Sequence, residues 1–263
     1  MGIARDFDPS TRSPLSFDLD AGIGARAAIG LIVLSSDQTI EHEFRTLLGL
    51  EGVALYQSRI RNDSRITPET LGAMEARLVE ATDVILPGMP LDVVAFACTS
   101  ASMVIGEERV FEKIRKARPL ARPTTPITAA FAAFKAFGVR RIALLTPYRP
   151  DVNHQIRTYI EARGVEIVRM ASFEEDDRQV CRISEGSIKE AALALGRDPA
   201  VEAVFVSCTA LRAASVVEAI EAELEKPVTS SNHALGWHCL RLAGIEDRLE
   251  QAGRLFQLDL PDP

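Results

Sequence analysis

Asp92-Val-Val-Ala-Phe-Ala-Cys98-Thr99 and Glu202-Ala-Val-Phe-Val-Ser-Cys208-Thr209 are the two stretches that decide the fold. Each runs from an acid through five mostly apolar residues to Cys-Thr, and the two cysteines lie 110 positions apart. A short continuous apolar run of this kind reads as a parallel strand buried on both faces. Each cysteine then falls at the carboxyl end of a strand, the edge at which open α/β sheets bind ligands. Two thiols delivered by equivalent strands predict chemistry on both sides of one substrate.

The same spacing recurs nearby. Ala28-Ile-Gly-Leu-Ile-Val-Leu34 reads as a strand, followed by Ser35-Ser36-Asp37-Gln38 and a helical pattern from Thr39. Arg141-Ile-Ala-Leu-Leu-Thr146 repeats the arrangement, followed by Pro147-Tyr148-Arg149 and a helix from about Asp151. Asp37 and Arg149 are 112 positions apart, close to the cysteine offset. Two landmarks at one offset argue for an internal duplication whose period is too long for a solenoid. Strands alternating with helical segments predict an α/β fold of two pseudo-symmetric halves. Each half is a parallel sheet flanked by helices, with the active site between them. We assign 1–26 to a polar leader, 27–127 plus 233–263 to the first half, and 128–232 to the second. Thr67-Pro68-Glu69 reads as an N-cap, a proline at N1 and an acid in the first turn. The helix from Pro126 to Phe137 is expected to stop at Gly138.

Composition sets the outer limits. The chain has 263 residues, 47% hydrophobic and 25% charged, with a formal net charge of −7. This is a globular balance, and no basic cluster offers a nucleic-acid or membrane-surface partner. The first residues lack the apolar core of a signal peptide, and no apolar run approaches the ~20 residues of a membrane span. Four cysteines in a chain this long do not make a disulfide framework. A cytoplasmic protein with reduced thiols is the expectation.

A single buried cysteine is usually a small packing residue. Here the duplicated frame adds weight, because both cysteines precede hydroxyl or small residues and an expected helix: Thr99-Ser100-Ala101-Ser102 and Thr209-Ala210. A helix N-terminus offers unpaired N–H groups and partial positive charge. Both favour a thiolate and hold a carboxylate or enediolate. Inverting a carbon centre needs a base on one face and an acid on the other, which a cysteine pair supplies without a cofactor.

Ala95-Phe-Ala-Cys98-Thr-Ser, Thr146-Pro147-Tyr148, Ser207-Cys208-Thr209 and Thr229-Ser230-Ser231-Asn232-His233-Ala234 resemble the Asp/Glu racemase superfamily, in the branch of maleate isomerase and arylmalonate decarboxylase. The likeness runs from about Ala28 to Ile245. Within that branch, Leu34-Ser-Ser-Asp37-Gln-Thr-Ile-Glu-His-Glu-Phe44 is most similar to the ectoine-utilisation proteins known as EutA. The resemblance implies that Cys98 matches the nucleophile that adds to the double bond in the isomerases, and that Cys208 handles the proton. In the decarboxylases the position of Cys98 is not cysteine, so retention of both thiols argues against that activity. The resemblance also implies a small carboxylate substrate held by Ser36, Thr99, Ser100, Tyr148 and Thr209, no cofactor, and a role in ectoine or hydroxyectoine breakdown.

Two acids depart from the isomerase pattern, in which Asp37 and Asp177 align with asparagines. Asp37 reads equally as an N-cap, and Asp177 as a solvated loop charge. If both faced the pocket they would repel a dicarboxylate and suit an ammonium, amidine or amide. Tyr148 reads as a structural residue after proline or as a site residue. Cys181 and Cys239 are expected in helices as packing residues. His233 and His238 have no metal-ligand pattern around them, and the Ser230-Ser231-Asn232 turn either brings His233 near the pocket or caps a helix. Gly22-Ile-Gly24 follows no strand and is not a dinucleotide fingerprint. Phe131, Phe134 and Phe137 form a stripe expected in the core or at a subunit interface, which leaves a homo-oligomer open. Three readings stand: a two-cysteine racemase or epimerase on a nitrogen-bearing acid, a maleate cis–trans isomerase, and a non-catalytic binding protein on the same scaffold.

Overall fold

A computed structural model of the chain describes residues 15–63, 65–175 and 177–262, the side chain of Asp177 excepted. Up to Phe137 the chain runs β1 (Ala27–Leu34), α1 (Ile40–Leu47), β2 (Val53–Ile60), α2 (Pro68–Gly72), α3 (Leu78–Asp83), β3 (Val93–Ala97), α4 (Thr99–Ile105), α5 (Glu107–Ala117), β4 (Arg122–Thr124) and α6 (Pro126–Phe137). From there it runs β5 (Arg141–Thr146), α7 (Pro150–Glu161), β6 (Glu166–Ser172), α8 (Asp177–Val180), α9 (Glu185–Gly196), β7 (Ala203–Val206), α10 (Val217–Leu224), β8 (Val228–Ser230) and α11 (Ser231–Leu242). All strand pairs are parallel, in the order β2-β1-β3-β4 in one sheet and β6-β5-β7-β8 in the other. The strands that precede the two cysteines, β3 and β7, thus hold the same place in each sheet.

The apolar runs explain this. In the first sheet Ile32, Leu34, Val94 and Phe96 join Leu78, Val110 and Ile114 of α3 and α5 on one face. The alternate residues Leu31, Val33, Val93 and Ala95 join α1, α6 and α11 on the other. Burial on both faces is what removes the polar alternation of a half-exposed strand. In the second sheet Ala143, Leu145, Val204 and Val206 are buried with α7, α9 and α10.

Helix α6 serves both cores. Thr125 caps it by accepting the Thr128 N–H at 3.2 Å, Pro126 opens it, and Gly138 ends it in the left-handed region at φ 69°. Its Ala129 and Ala133 pack with the first sheet, while Ile127, Ala130 and Phe134 pack with the second. Phe134 meets Phe205 edge-on at 5.5 Å, and Phe131 lies against Phe134 and Tyr159. Much of the phenylalanine stripe is therefore spent inside the chain.

Helix α11 packs on α6 and on the first sheet. Trp237 is fully buried there, and its indole N–H donates to the Leu258 carbonyl at 3.0 Å. Trp237→Ala removes a large side chain and a satisfied donor, and is expected to cost about 3–5 kcal/mol. A lower urea midpoint at unchanged slope would report it; an unchanged midpoint would show that this packing contributes little.

Three expectations differ from the structure. No helix follows Cys208 directly: a turn and a short 3-10 segment precede α10. The carbonyls of Thr209 and Ala210 are taken by Asn232 and Thr39 from other elements, which removes the acceptors a helix needs. Cys181 lies in the turn after the short α8, half-exposed rather than packed in a helix. Of the expected leader, residues 1–14 lie outside the described residues, and 15–22 carry no regular structure. Among the described residues no helix is long and apolar enough to cross a membrane.

Candidate active site

Cys98 follows β3 and occupies the N-cap of α4, where its Sγ accepts the Ala101 N–H at 3.4 Å. Ser100 Oγ stands 3.7 Å from the same sulfur. An N–H donated to sulfur and the positive end of the helix both favour the thiolate. Cys98 is 4% exposed and Cys208 is 7% exposed, so each thiol is screened from bulk water.

Cys208 lacks a helix of its own, and its backbone is tied to the first residue of α11. Its N–H donates to Ser231 Oγ at 3.0 Å, and Ser231 opens α11. Ser231 Oγ also bonds Thr99 Oγ1 at 2.8 Å, so one hydroxyl links both cysteine segments.

The loop after Cys208 is clamped by the start of α1 and by α11. Thr39 Oγ1 donates to the Ala210 carbonyl at 2.8 Å. Asn232 Nδ2 donates to the Thr209 carbonyl at 2.8 Å and to Glu43 Oε2 at 2.7 Å. Glu43 Oε1 accepts the Ala214 N–H at 2.8 Å. Burial raises the Glu43 carboxyl from its ordinary range to about 7, against the pull of the Asn232 and Ala214 hydrogen bonds; the charge of Asp37 adds to the rise.

Tyr148 enters from the loop after β5. Its carbonyl accepts Asn153 Nδ2 at 2.7 Å and Ser172 Oγ at 2.5 Å, which fixes the loop. Its hydroxyl is in hydrogen-bonding contact with Cys208 and Ser100. Burial, then the charge of the two sulfurs, pushes its ionisation well above that of an ordinary phenol. It therefore remains a proton donor beside Cys208.

Ser36, Asp37, Cys98, Thr99, Ser100, Tyr148, Cys208 and Thr209 line a single cavity between the halves. Its other walls include Asn62 and Arg65 from the segment after β2. Asn62 holds Ser36, accepting its N–H at 3.2 Å and donating to its hydroxyl at 2.8 Å. Asp37 is 4% exposed and serves twice, because its Oδ1 also accepts the N–H groups of Thr39 and Ile40 at the start of α1. Asp177 begins α8, but its side chain lies outside the described residues.

His233 does not line the cavity. Its ring bonds Thr229 Oγ1 and the Ala252 carbonyl in the interior, and its N–H is capped by Ser230, so the capping reading of that turn holds. Cys239 is fully buried, and burial raises its thiol well above the usual range.

Ser231, Asn232, Glu43 and Asn62 did not stand out as site residues in the sequence. The one available signal was the Ser230-Ser231-Asn232 run, which looks like an ordinary helix cap.

A family profile described as arylmalonate decarboxylase matches residues 62–256. A maleate isomerase of Nocardia farcinica is 29% identical over 242 residues, covering 88% of this chain and 96% of that protein. The structure of a Nocardia farcinica maleate cis-trans isomerase mutant with a covalently bound succinylcysteine intermediate superposes with a TM-score of 0.79. Its identity is 27%, over 88% of this chain and 98% of that one. The maleate isomerase Iso of Pseudomonas putida shares the fold with a TM-score of 0.79 at 24% identity, over 88% and 98% of the two chains.

Proposed function

This chain belongs to the arylmalonate decarboxylase family, and from that membership we propose that it is a cofactor-independent isomerase working on a small carboxylic acid with Cys98 and Cys208. The observation that carries the reading is that both thiols line one enclosed cavity from equivalent strands, with the Tyr148 hydroxyl touching Cys208.

Two routes use the same residues. With an alkene, the Cys98 thiolate forms a C–S bond and the π pair moves toward the carboxylate as an enediolate. The Cys208 thiol then gives its proton to carbon. After rotation about the new single bond, Cys208 takes the proton back and the C–S bond breaks. The succinylcysteine intermediate in the Nocardia farcinica mutant supports this route. With a saturated acid, one thiolate takes the α-proton, the electron pair enters the carboxylate, and the other thiol protonates the opposite face. In both routes the first-turn N–H groups of α4 and the hydroxyls of Thr99, Ser100 and Thr209 hold the carboxylate as charge builds.

The finer reading is a nitrogen-bearing substrate. Asp37 puts a buried carboxylate in the cavity wall, while the other wall carboxylate, Asp63, is paired with the largely exposed Arg65 at 3.7 Å. Two like charges about 4 Å apart repel by roughly 4 kcal/mol at an effective dielectric of about 20. A substrate carboxylate placed against Asp37 is disfavoured to that extent, and an ammonium or amidine there is favoured. Amino acids of the kind released from ectoine or hydroxyectoine fit this chemistry. Maleate is the second reading, favoured by the names of the relatives.

The cavity encloses about 30 Å³, against roughly 300–1,000 Å³ for typical ligand pockets. Substrate entry therefore requires its walls to open, as in enzymes that close over their substrates.

The test is proton exchange in D2O followed by NMR, with aspartate, glutamate, ectoine-derived diamino acids, their hydroxylated analogues and maleate. Exchange at an α-carbon of an amino acid supports the finer reading, whereas conversion of maleate alone replaces it with the second. Asp37→Asn is expected to lower kcat/KM on the amino acid by at least ~10-fold, since it removes a charge partner. Turnover of the amino acid unchanged by Asp37→Asn would remove the argument from charge.

A further inference from the structure

A second cavity lies behind the Cys208 loop. It has a volume of about 410 Å³, within the range of ligand pockets. It shares no lining residue with the thiol cavity, and Thr209–Ala213 runs between the two. Its walls come from α1, the start of α9, the segment Arg212–Ser215 and the C-terminal stretch Arg248–Ala252.

The charges that meet there are of both signs. Arg212 makes no ion pair among the described residues. It donates one N–H to the Ile183 carbonyl at 3.2 Å, and its Nε is buried with no hydrogen-bond partner. Arg248, by contrast, is already paired with Asp259. Glu185 and Glu250 supply carboxylates on other walls, Glu185 accepting Ser215 Oγ at 2.9 Å. A guanidinium without a carboxylate partner calls for an anionic group. The two glutamates oppose a purely anionic ligand and suit a cationic one.

We propose that this cavity is a second binding site, for a small zwitterionic amino carboxylate whose carboxylate meets Arg212 and whose ammonium faces Glu185 and Glu250. The site touches the catalytic loop directly. Glu43 lines it and holds the Ala214 N–H, and its other oxygen holds Asn232, which carries the Thr209 carbonyl. A ligand here therefore orders the segment that follows Cys208.

The experiment uses the full chain with Cys98 and Cys208 alkylated by iodoacetamide, so that the thiol cavity is filled and catalysis is irrelevant. The alkylated protein is titrated calorimetrically with L-glutamate, L-aspartate, 2,4-diaminobutyrate, succinate and putrescine. Hydrogen exchange of Thr209–Ser215 is followed with and without each probe. The expected result is one-to-one binding of at least one amino carboxylate, slower exchange across that segment, and weakening by at least ~10-fold in Arg212→Gln, which loses the ionic grip. Glu250→Gln, at a more open position, should weaken the same probe and provides the test if Arg212→Gln does not fold. The proposal is overturned if no amino carboxylate binds the alkylated protein, if succinate or putrescine binds in preference, or if both variants bind as the wild type does.

Discussion

Cys208→Ser is expected to lower turnover by at least ~10³-fold, and Cys98→Ser by a similar factor, because a serine hydroxyl is a far weaker nucleophile and acid than a thiol at neutral pH. The two variants should fail differently. Cys98 has the Ala101 N–H and the start of α4 to favour its thiolate. It should therefore be alkylated quickly by iodoacetamide in the Cys208→Ser protein and be protected by substrate. With an alkene substrate, Cys208→Ser should also trap an adduct on Cys98, visible by mass spectrometry as a gain equal to the mass of the substrate acid. Cys208 is held differently, through its N–H on Ser231 and the contact of its sulfur with Tyr148. Its alkylation in Cys98→Ser should be the slower of the two. Turnover within ~10-fold of wild type in either variant would sink the two-thiol mechanism. Two slowly reacting thiols with no turnover would return the binding-protein reading to the front.

A steep loss of stability on the acid side is the second large effect expected. His233 is fully buried and His238 is 6% exposed; burial lowers each from the ordinary value to about 4. Between about pH 6.5 and 4 the unfolded chain binds protons at these positions and the native chain does not, so stability falls as pH falls through that window. Lowering a histidine from 6.5 to about 4 corresponds to roughly 3 kcal/mol. The pair therefore puts at risk an amount comparable with the whole stability of many domains, about 5–15 kcal/mol. Glu43 works the other way. Its carboxyl, raised to about 7, binds a proton more tightly in the native chain, so its contribution is full below about pH 4.5 and is lost as pH rises through 7. The sum places greatest stability near pH 6.5. Urea unfolding at stepped pH measures this directly. His238→Asn should remove most of the slope between about pH 6.5 and 4.5, because Glu43 then offsets the one histidine left, and a flat wild-type profile over that range would contradict the assignment of both histidines as neutral.

Much of this was legible in the chain before folding was considered. The apolar runs ending at Cys98 and Cys208 marked β3 and β7, and the matched offsets anticipated two similar parallel sheets, whose common strand order the structure adds. Pro126 and Gly138 marked the two ends of α6, because helix starts and stops are chemistry within a few residues. The two acids, by contrast, could be read only in part. Asp37 both caps α1 and lines the cavity, so neither of its readings excluded the other.

Local pattern is therefore what the sequence alone determined: which stretches are buried strands, where helices start and stop, and that two thiols end equivalent strands. These follow from side-chain period and from caps, which act over a few residues. Tertiary structure alone decided the partners. Ser231 meets Thr99 across 132 positions, Glu43 meets Asn232 across 189, and Thr39 meets Ala210 across 171. It also decided that the Cys208 backbone is anchored by the hydroxyl of Ser231, 23 residues later, and is not followed by a helix of its own. No periodicity encodes such pairings, because a hydrogen bond depends on where packing brings two groups and not on their separation along the chain. Packing likewise left a cavity of ligand size behind the Cys208 loop, lined by residues that share no motif.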